Sequence, residues 1–285
     1  MYEYTLHIAN LYIQLETPFE VQICTESQCF LSDSSASCNY RVTFQPTDDL
    51  PTMPAVGRWV EDMYYTELDF SPAVYVRNYP GLPPYAVFQE KSDYIQCLYL
   101  SGSERRINET SSILNLIGLE KILLDNSAFL LHSSFIRYCG KGILFSAPCG
   151  TGKSTQADLW EKFRSSETLN GDRAGVRCMD GVWKAFGMPF AGTSGIYQNK
   201  SAPITAIVTL AQGPENVIRR LRPMEAVRKL LPECSCRRWD SDFMNEMLNL
   251  LLELVQQVPV YLLECRPDEG AVNLLHDTLE KDGWL

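Results

Sequence analysis

A glycine-rich run is the part of the sequence whose residue types and spacing could most directly do chemistry. It reads Ala147-Pro148-Cys149-Gly150-Thr151-Gly152-Lys153-Ser154. Glycines let a loop backbone approach a triphosphate closely, a lysine at this position reaches the β- and γ-phosphates, and a serine hydroxyl is a ligand for Mg²⁺. Alanine stands at the first position, where the strict pattern has glycine. We predict a P-loop that binds ATP or another nucleoside triphosphate through this run and Thr155.

The flanking segments have the character that a P-loop requires. An apolar strand is predicted at 143–145, directly before the loop, and an amphipathic helix at 155–163, directly after it. When a strand leads through a glycine-rich turn into a helix, the backbone N–H groups of the turn and of the helix N-terminus point at one anion. Nucleotide binding is therefore the first functional prediction. Cys149 is interpreted as a small residue that fills the turn rather than as a redox switch.

Phosphoryl transfer to a hydroxyl also needs a carboxylate that accepts the proton, and cations that balance the phosphate charge. Asp172 lies in a predicted turn, Asn170-Gly171-Asp172-Arg173, and His132 begins a predicted strand. From residue type alone, an aspartate in a turn is more often a cap, and a lone histidine is more often structural. Arg219 is a candidate for contact with the γ-phosphate or the acceptor, because a guanidinium matches phosphate geometry. Arg173 and Arg266 are weaker candidates.

From about residue 119 onward, the chain resembles the HPr kinase/phosphorylase catalytic domain, and in particular its small relatives found beside peptide-modification genes. The resemblance rests on four segments: His132-Ser133-Ser134-Phe135, Gly142-Ile143-Leu144-Phe145-Ser146, the loop continuing as Lys153-Ser154-Thr155-Gln156-Ala157-Asp158-Leu159-Trp160, and Asn170-Gly171-Asp172-Arg173. That family shares its phosphate-binding core with ATP-dependent phosphoenolpyruvate carboxykinase.

The resemblance implies roles for individual residues. Asp172 would be the catalytic base and, with Ser154, would hold Mg²⁺; His132 would lie beside the phosphates, and Lys153 would act in transfer. This sequence departs from the family where Gly171 stands in place of a second aspartate. That departure puts a two-carboxylate mechanism and the reverse phosphorylase reaction in doubt.

The patterns predict an α/β (α+β) protein in which a mixed-sheet P-loop kinase domain follows a smaller β-rich region. We place the β-rich region at 1–105, as a docking region for the acceptor, and the catalytic domain at 106–285. Apolar residues at helical spacing predict a linking helix over 111–131. Asp180-Gly181 between two alternating segments predicts a hairpin, so the sheet is expected to be mixed.

Composition excludes several classes of function. The formal net charge of -10 argues against nucleic-acid binding, and no apolar run is long enough to span a membrane. Ten scattered cysteines and three histidines give no zinc-ligand spacing. We expect a cytoplasmic protein with free thiols. The oligomeric state stays open, a homo-oligomer being one option.

The function predicted from the sequence is an ATP- and Mg²⁺-dependent kinase that phosphorylates a serine- or threonine-type hydroxyl on a peptide, a protein or a small molecule. The alternative is a function without catalysis: a nucleotide-binding adaptor that serves a peptide-modifying system. A carboxykinase acting on oxaloacetate is a third reading, which the short chain and the few histidines make less favourable.

Overall fold

The computed structural model describes residues 1–33, 38–91 and 94–285, which form two compact units, Met1–Leu119 and Glu120–Leu285. Each unit contains one large mixed sheet, so the expected mixed α/β class is confirmed. The division into an acceptor-docking region and a catalytic domain at residue 105 stays a prediction.

The first unit is built on an eight-stranded sheet. Its strands, in chain order, are β1 (Tyr2–Ile8), β2 (Leu11–Thr17), β3 (Tyr40–Thr47), β4 (Gly57–Val60), β5 (Met63–Leu68), β6 (Ser71–Val76), β7 (Ala86–Glu90) and β8 (Ile95–Leu100). The spatial order is β1-β2-β3-β8-β7-β6-β5-β4, in which β3 is parallel to both of its neighbours. Alternate residues of β2 are buried, as the sequence alternation requires of a half-buried strand.

The helix predicted over 111–131 is wrong as a single element. The structure has two short helices, α1 (Thr110–Leu116) and α2 (Leu119–Leu124), separated at Gly118, whose φ of 69° is left-handed. Residues from Ala128 onward belong to a strand instead. The apolar run at 128–131 fits a helix or a buried strand equally well by its pattern, and pairing with neighbouring strands decided between them.

The second unit contains eight strands and four longer helices. The strands are β9 (Ala128–Tyr138), β10 (Lys141–Ser146), β11 (Glu167–Asn170), β12 (Arg173–Met179), β13 (Val182–Gly187), β14 (Ser201–Gln212), β15 (Val217–Arg220) and β16 (Val260–Cys265). The helices are α3 (Lys153–Arg164), α4 (Pro223–Leu230), α5 (Ser241–Gln257) and α6 (Glu269–Lys281). The predicted hairpin joins β12 to β13, with Asp180 and Gly181 both at positive φ.

The sheet of this unit is mixed, with the main strand order β10-β9-β12-β13-β14-β16-β15 and an additional parallel pairing of β10 with β14. Alternate residues of β10 and β14 face opposite sides. Leu144 and Ile207 pack with residues of α5, whereas Ile143 and Val208 pack with residues of α3 and α6. The sheet therefore lies between two helical layers, and burial on both faces explains why its central strands are apolar throughout.

Candidate functional site

The P-loop sequence forms a turn between β10 and α3. Gly150 and Gly152 have φ values of 78° and 118°, in the left-handed region where side chains are strained. A Cβ atom at either position would have no atom beyond its chain neighbours within 4 Å, so the space beside both glycines is open. Helix α3 begins at Lys153, and its first N–H groups have no intrahelical partner. The turn thus has the shape and polarity of an anion cradle.

Lys153 is buried, and its ammonium donates hydrogen bonds to the carbonyl oxygens of Ala147 (2.7 Å) and Pro148 (3.3 Å). Burial lowers the pKa of Lys153, because the charged form loses hydration, while the neighbouring acidic groups Glu233, Cys149 and Asp172 act in the opposite direction. The two hydrogen bonds hold the ammonium inside the loop.

The remaining polar residues of the cradle are open to solvent. Ser154 and Thr155 are exposed on the first turn of α3, and Cys149 is an exposed free thiol. Hydroxyl groups at the start of α3 are therefore accessible to a ligand or a metal ion.

Strand β9 changes its partners at His132 and Ser133. Along one edge, β9 pairs with β10, and Ser133 lies opposite Ser146, the last residue before the predicted P-loop. Along the other edge, β9 pairs first with β12 and then with β11, and His132 lies opposite Arg173. The ladder along this second edge is interrupted at Gly171 and Asp172. The hydroxyl of Ser146 donates to the carbonyl of His132 (3.0 Å), and the Ser133 N–H donates to the carbonyl of Asp172 (2.9 Å). These bonds place the start of the P-loop, His132 and Asp172 around one segment of β9.

Asn170 fixes the turn that carries Asp172. Its side chain is fully buried, and its Oδ1 accepts from the backbone N–H groups of Asp172 (2.9 Å) and Arg173 (2.8 Å). Its Nδ2 donates to the carbonyls of Met188 (2.9 Å) and Phe190 (3.1 Å). One amide therefore ties the Asp172 turn to the loop after β13. The sequence analysis did not single out Asn170, although an asparagine two residues before the candidate aspartate is a signal for such a turn.

His132 lies between two carboxylates. Its Nδ1 is 3.0 Å from Oε2 of Glu233, and its Nε2 is 3.8 Å from Oδ1 of Asp172. These three residues and Arg173 line a cavity of about 210 Å³. Asp172 and His132 each retain 30% side-chain exposure, so both can be reached from solvent. Reasoning from the sequence missed Glu233, and no local spacing could have indicated it, because it lies 101 positions from His132.

The loop from Gly187 to Gly195 lies against the Asp172 turn. It contains a short 3₁₀ helix, Gly192–Ser194, and Cβ positions built at Gly171 and Gly192 fall within 3 Å of Ser194 and Asp172 respectively. The loop therefore packs closely against the turn that carries Asp172.

The three arginines occupy different places. Arg219 lies on β15, the edge strand, and both of its terminal nitrogens contact Glu225 at 3.3 Å. Arg173 is exposed, with its Nε 3.7 Å from Asp172 and its guanidinium over the ring of Phe190. Arg266, one of the two weaker candidates from the sequence, lines a second cavity of about 390 Å³ beside Gly150 and Gly152. The described contacts do not join Arg219 to either cavity.

Comparisons with known proteins do not assign this chain to a family. No protein-family model matches the chain, and no curated protein matches it. Among solved structures, the Hpr(Ser) kinase/phosphatase from Coxiella burnetii matches with 12% sequence identity and a TM-score of 0.30, over 54% of this chain and 89% of that chain. A TM-score this low does not assign the chain to that fold. Within the described ranges 1–33, 38–91 and 94–285, no helix is long and apolar enough to cross a membrane.

Proposed function

We propose that the Glu120–Leu285 unit is a phosphotransferase that moves the terminal phosphoryl group of ATP, or of another nucleoside triphosphate, to a hydroxyl group. The observation that carries this proposal is that β9 holds the start of the glycine turn beside Asp172, because Ser146 bonds to the carbonyl of His132 and the Ser133 N–H bonds to the carbonyl of Asp172, while Lys153 is bonded inside the same turn. A phosphate held by that lysine would have a carboxylate close by, which is what transfer to a hydroxyl requires.

The two cavities suggest how a nucleotide would be arranged. The triphosphate would lie in the turn at Gly150 and Gly152, and the nucleoside would lie in the 390 Å³ cavity, whose wall includes Gln212 and Arg266. That volume falls within the range typical of small-molecule sites. The acceptor hydroxyl would approach from the 210 Å³ cavity at Asp172 and His132. The donor and the acceptor would then occupy opposite sides of the P-loop.

Mg²⁺ is expected with the nucleotide, and the oxygen donors of the site suit it. Ser154 offers an exposed hydroxyl at the start of α3. The Asp172 carboxylate has only long contacts to charged groups, 3.8 Å to His132 and 3.7 Å to Arg173, so its oxygens have capacity for a cation. Hydroxyl and carboxylate oxygens are the ligands that this ion prefers. When bound, the ion would neutralise charge on the transferring phosphoryl group.

In the proposed reaction, the acceptor oxygen attacks the γ-phosphorus and a new P–O bond forms. The bond from that phosphorus to the oxygen bridging it to the β-phosphate breaks, and the nucleoside diphosphate leaves. The acceptor proton passes to the carboxylate of Asp172, and Lys153 balances the charge on the phosphate oxygens. His132, beside Asp172, would hydrogen-bond to the reacting groups. The acceptor class is a serine- or threonine-type hydroxyl on a peptide, a protein or a small molecule, docked with help from the β-rich N-terminal unit.

Labelled ATP tests this proposal directly. The purified chain is incubated with γ-labelled ATP, Mg²⁺ and either an extract of its host or peptides encoded beside its gene, and labelled products are located by mass spectrometry. We expect phosphate on a hydroxyl-bearing acceptor with the wild type and none with Asp172→Asn. Label released only to water would refute the kinase. ATP binding without any transfer, unchanged in Asp172→Asn, would instead support the nucleotide-dependent adaptor.

A further inference from the structure

Glu233 is a largely buried carboxylate that the proposed reaction does not yet use. It ends the short 3₁₀ helix Leu231–Glu233 after α4, and its side chain is 11% exposed. A buried carboxylate is costly unless it is paired, and its partner here is Nδ1 of His132 at 3.0 Å. This is the shortest contact that His132 makes to an acidic group, since Asp172 lies at 3.8 Å from its other ring nitrogen.

The backbone around Glu233 is fixed independently of this contact. Cys234 forms an antiparallel bridge with Leu131, and the Ser235 N–H donates to the carbonyl of Leu130 at 3.1 Å. The segment is therefore attached to β9 directly beside His132. These bonds involve only the main chain, so they hold the segment without using the Glu233 side chain.

The contact at Nδ1 decides the tautomer and the orientation of the His132 imidazole ring. A carboxylate accepts hydrogen bonds and cannot donate one, so Nδ1 must carry a proton to bond with it. The ring is then fixed with Nε2 directed at Asp172 and the acceptor cavity. A carboxylate that holds a histidine by its far nitrogen is a general device for selecting the tautomer and the orientation of the ring.

We propose that Glu233 is a positioning residue that holds His132 with Nδ1 protonated and Nε2 facing Asp172 and the acceptor. The effect of Glu233 on reaction rate rests on the proposed phosphotransfer. Its effect on the orientation and tautomer of the His132 ring does not. Gly171 carries no carboxylate next to Asp172, so Glu233 supplies the second carboxylate of the cavity from a distant part of the chain. It acts through the histidine.

Nitrogen NMR of the histidine rings tests the positioning without any assay. Protein carrying ¹⁵N-histidine is compared as wild type, Glu233→Gln and Glu233→Ala, with His132→Gln used to assign the signal. We expect a protonated Nδ1 in the wild type, the same in Glu233→Gln, whose carboxamide oxygen still accepts, and a shift of the proton towards Nε2 in Glu233→Ala. An unchanged pattern in Glu233→Ala overturns the proposal. Glu233→Asp, whose shorter side chain withdraws the carboxylate, replaces the alanine variant if that one fails to fold.

Kinetics then separate positioning from a structural role. At metal sites, losing an outer group that orients a histidine ligand lowers metal affinity or activity by about 10- to 100-fold. We expect a loss of that order in kcat for Glu233→Ala, little change in KM for ATP, and recovery of most of kcat in Glu233→Gln. Glu161→Ala, an exposed position on α3, is the control. A ring that changes its tautomer while kcat is unaffected overturns the positioning role. If the wild type transfers no phosphate, the kinase proposal fails while the NMR result still decides what Glu233 does.

Discussion

Ser194 fills the space beside Gly171. A Cβ atom at residue 171 would lie 1.9 Å from Oγ of Ser194 and 2.6 Å from its Cβ, far inside van der Waals contact. The Ser194 hydroxyl is itself held, since it donates to the carbonyl of Ala191 (2.8 Å) and accepts from the Ile196 N–H (3.2 Å). Any side chain at 171 must therefore displace the 3₁₀ helix. This is a physical reason why a carboxylate cannot simply be added next to Asp172 in this backbone.

Substituting Gly171 with alanine should destabilise the protein through this contact. Overpacking of this kind typically costs about 1–3 kcal/mol. Ser194→Gly removes both conflicting atoms, so Gly171→Ala should cost less in the Ser194→Gly background than in the wild type. Urea denaturation of the two single variants and the double variant gives the coupling free energy. Strict additivity of the two changes would contradict the packing described above.

Asp172→Asn should abolish most phosphotransfer while leaving the affinity for ATP, measured without Mg²⁺, nearly unchanged. The amide keeps the size of the side chain but cannot accept the acceptor's proton, and general base catalysis contributes about 10²- to 10⁴-fold. Single-turnover transfer and nucleotide titration measure the two effects separately. Asp180→Asn is a matched control, because Asp180 lies in the β12–β13 turn at positive φ, which asparagine also tolerates. Equal loss in both variants would argue against a catalytic role for Asp172.

Lys153→Met should weaken nucleotide binding by at least about tenfold, which corresponds to about 1.4 kcal/mol of lost charge-assisted bonding to phosphate. Methionine retains much of the buried chain but has no donor for the phosphates or for the loop carbonyls. Lys162→Met, at an exposed position later in α3, should bind as the wild type does. Calorimetric titration with a non-hydrolysable ATP analogue measures both. Undiminished affinity in Lys153→Met would remove the basis for a phosphate cradle here.

Asn170→Ala should lower the free energy of unfolding by about 2–4 kcal/mol. The substitution removes four hydrogen bonds of a fully buried amide and leaves the N–H groups of Asp172 and Arg173 without this acceptor. Chemical denaturation measures the loss. Because the amide also holds the Asp172 turn, phosphotransfer activity in this variant should be lost at a lower denaturant concentration than the global fold. A fully active, fully stable variant would show that the turn forms without it.

Glu167 should make stability depend on acid pH. Its carboxylate accepts a hydrogen bond from Lys200 (2.6 Å) and is paired with Arg137, which together lower its pKa below the ordinary glutamate range. A lowered folded-state pKa stabilises the fold above the unfolded-state pKa, near 4.3 for glutamate, and that contribution is lost as the pH falls through the folded-state value. Glu167→Gln should therefore be less stable than the wild type at pH 7, by a modest amount because the pair is partly exposed, and this difference should disappear as the pH falls through the folded-state pKa. Urea midpoints across this range provide the measurement.

Local sequence was sufficient wherever one stretch of chain determines the outcome. The turn between β10 and α3 follows from two glycines ahead of an amphipathic helix, and the β12–β13 hairpin follows from Asp180-Gly181 between alternating strands. In both places neighbouring residues dictate the backbone conformation. The predicted helix over 111–131 failed because its apolar spacing suits a helix and a buried strand alike, and the partners of β9 made the choice.

The sequence by itself determined that this chain has a P-loop-like turn, a mixed α/β fold and, in Asp172 and His132, two candidate groups for acid–base chemistry. Only the tertiary structure decided which of those groups meet. Glu233 reaches His132 across 101 positions because its segment pairs with the backbone of β9, and Ser194 lies on Gly171 because the buried amide of Asn170 ties two turns together. Such contacts depend on strand pairing and burial between distant segments, which the local spacing of residues does not encode.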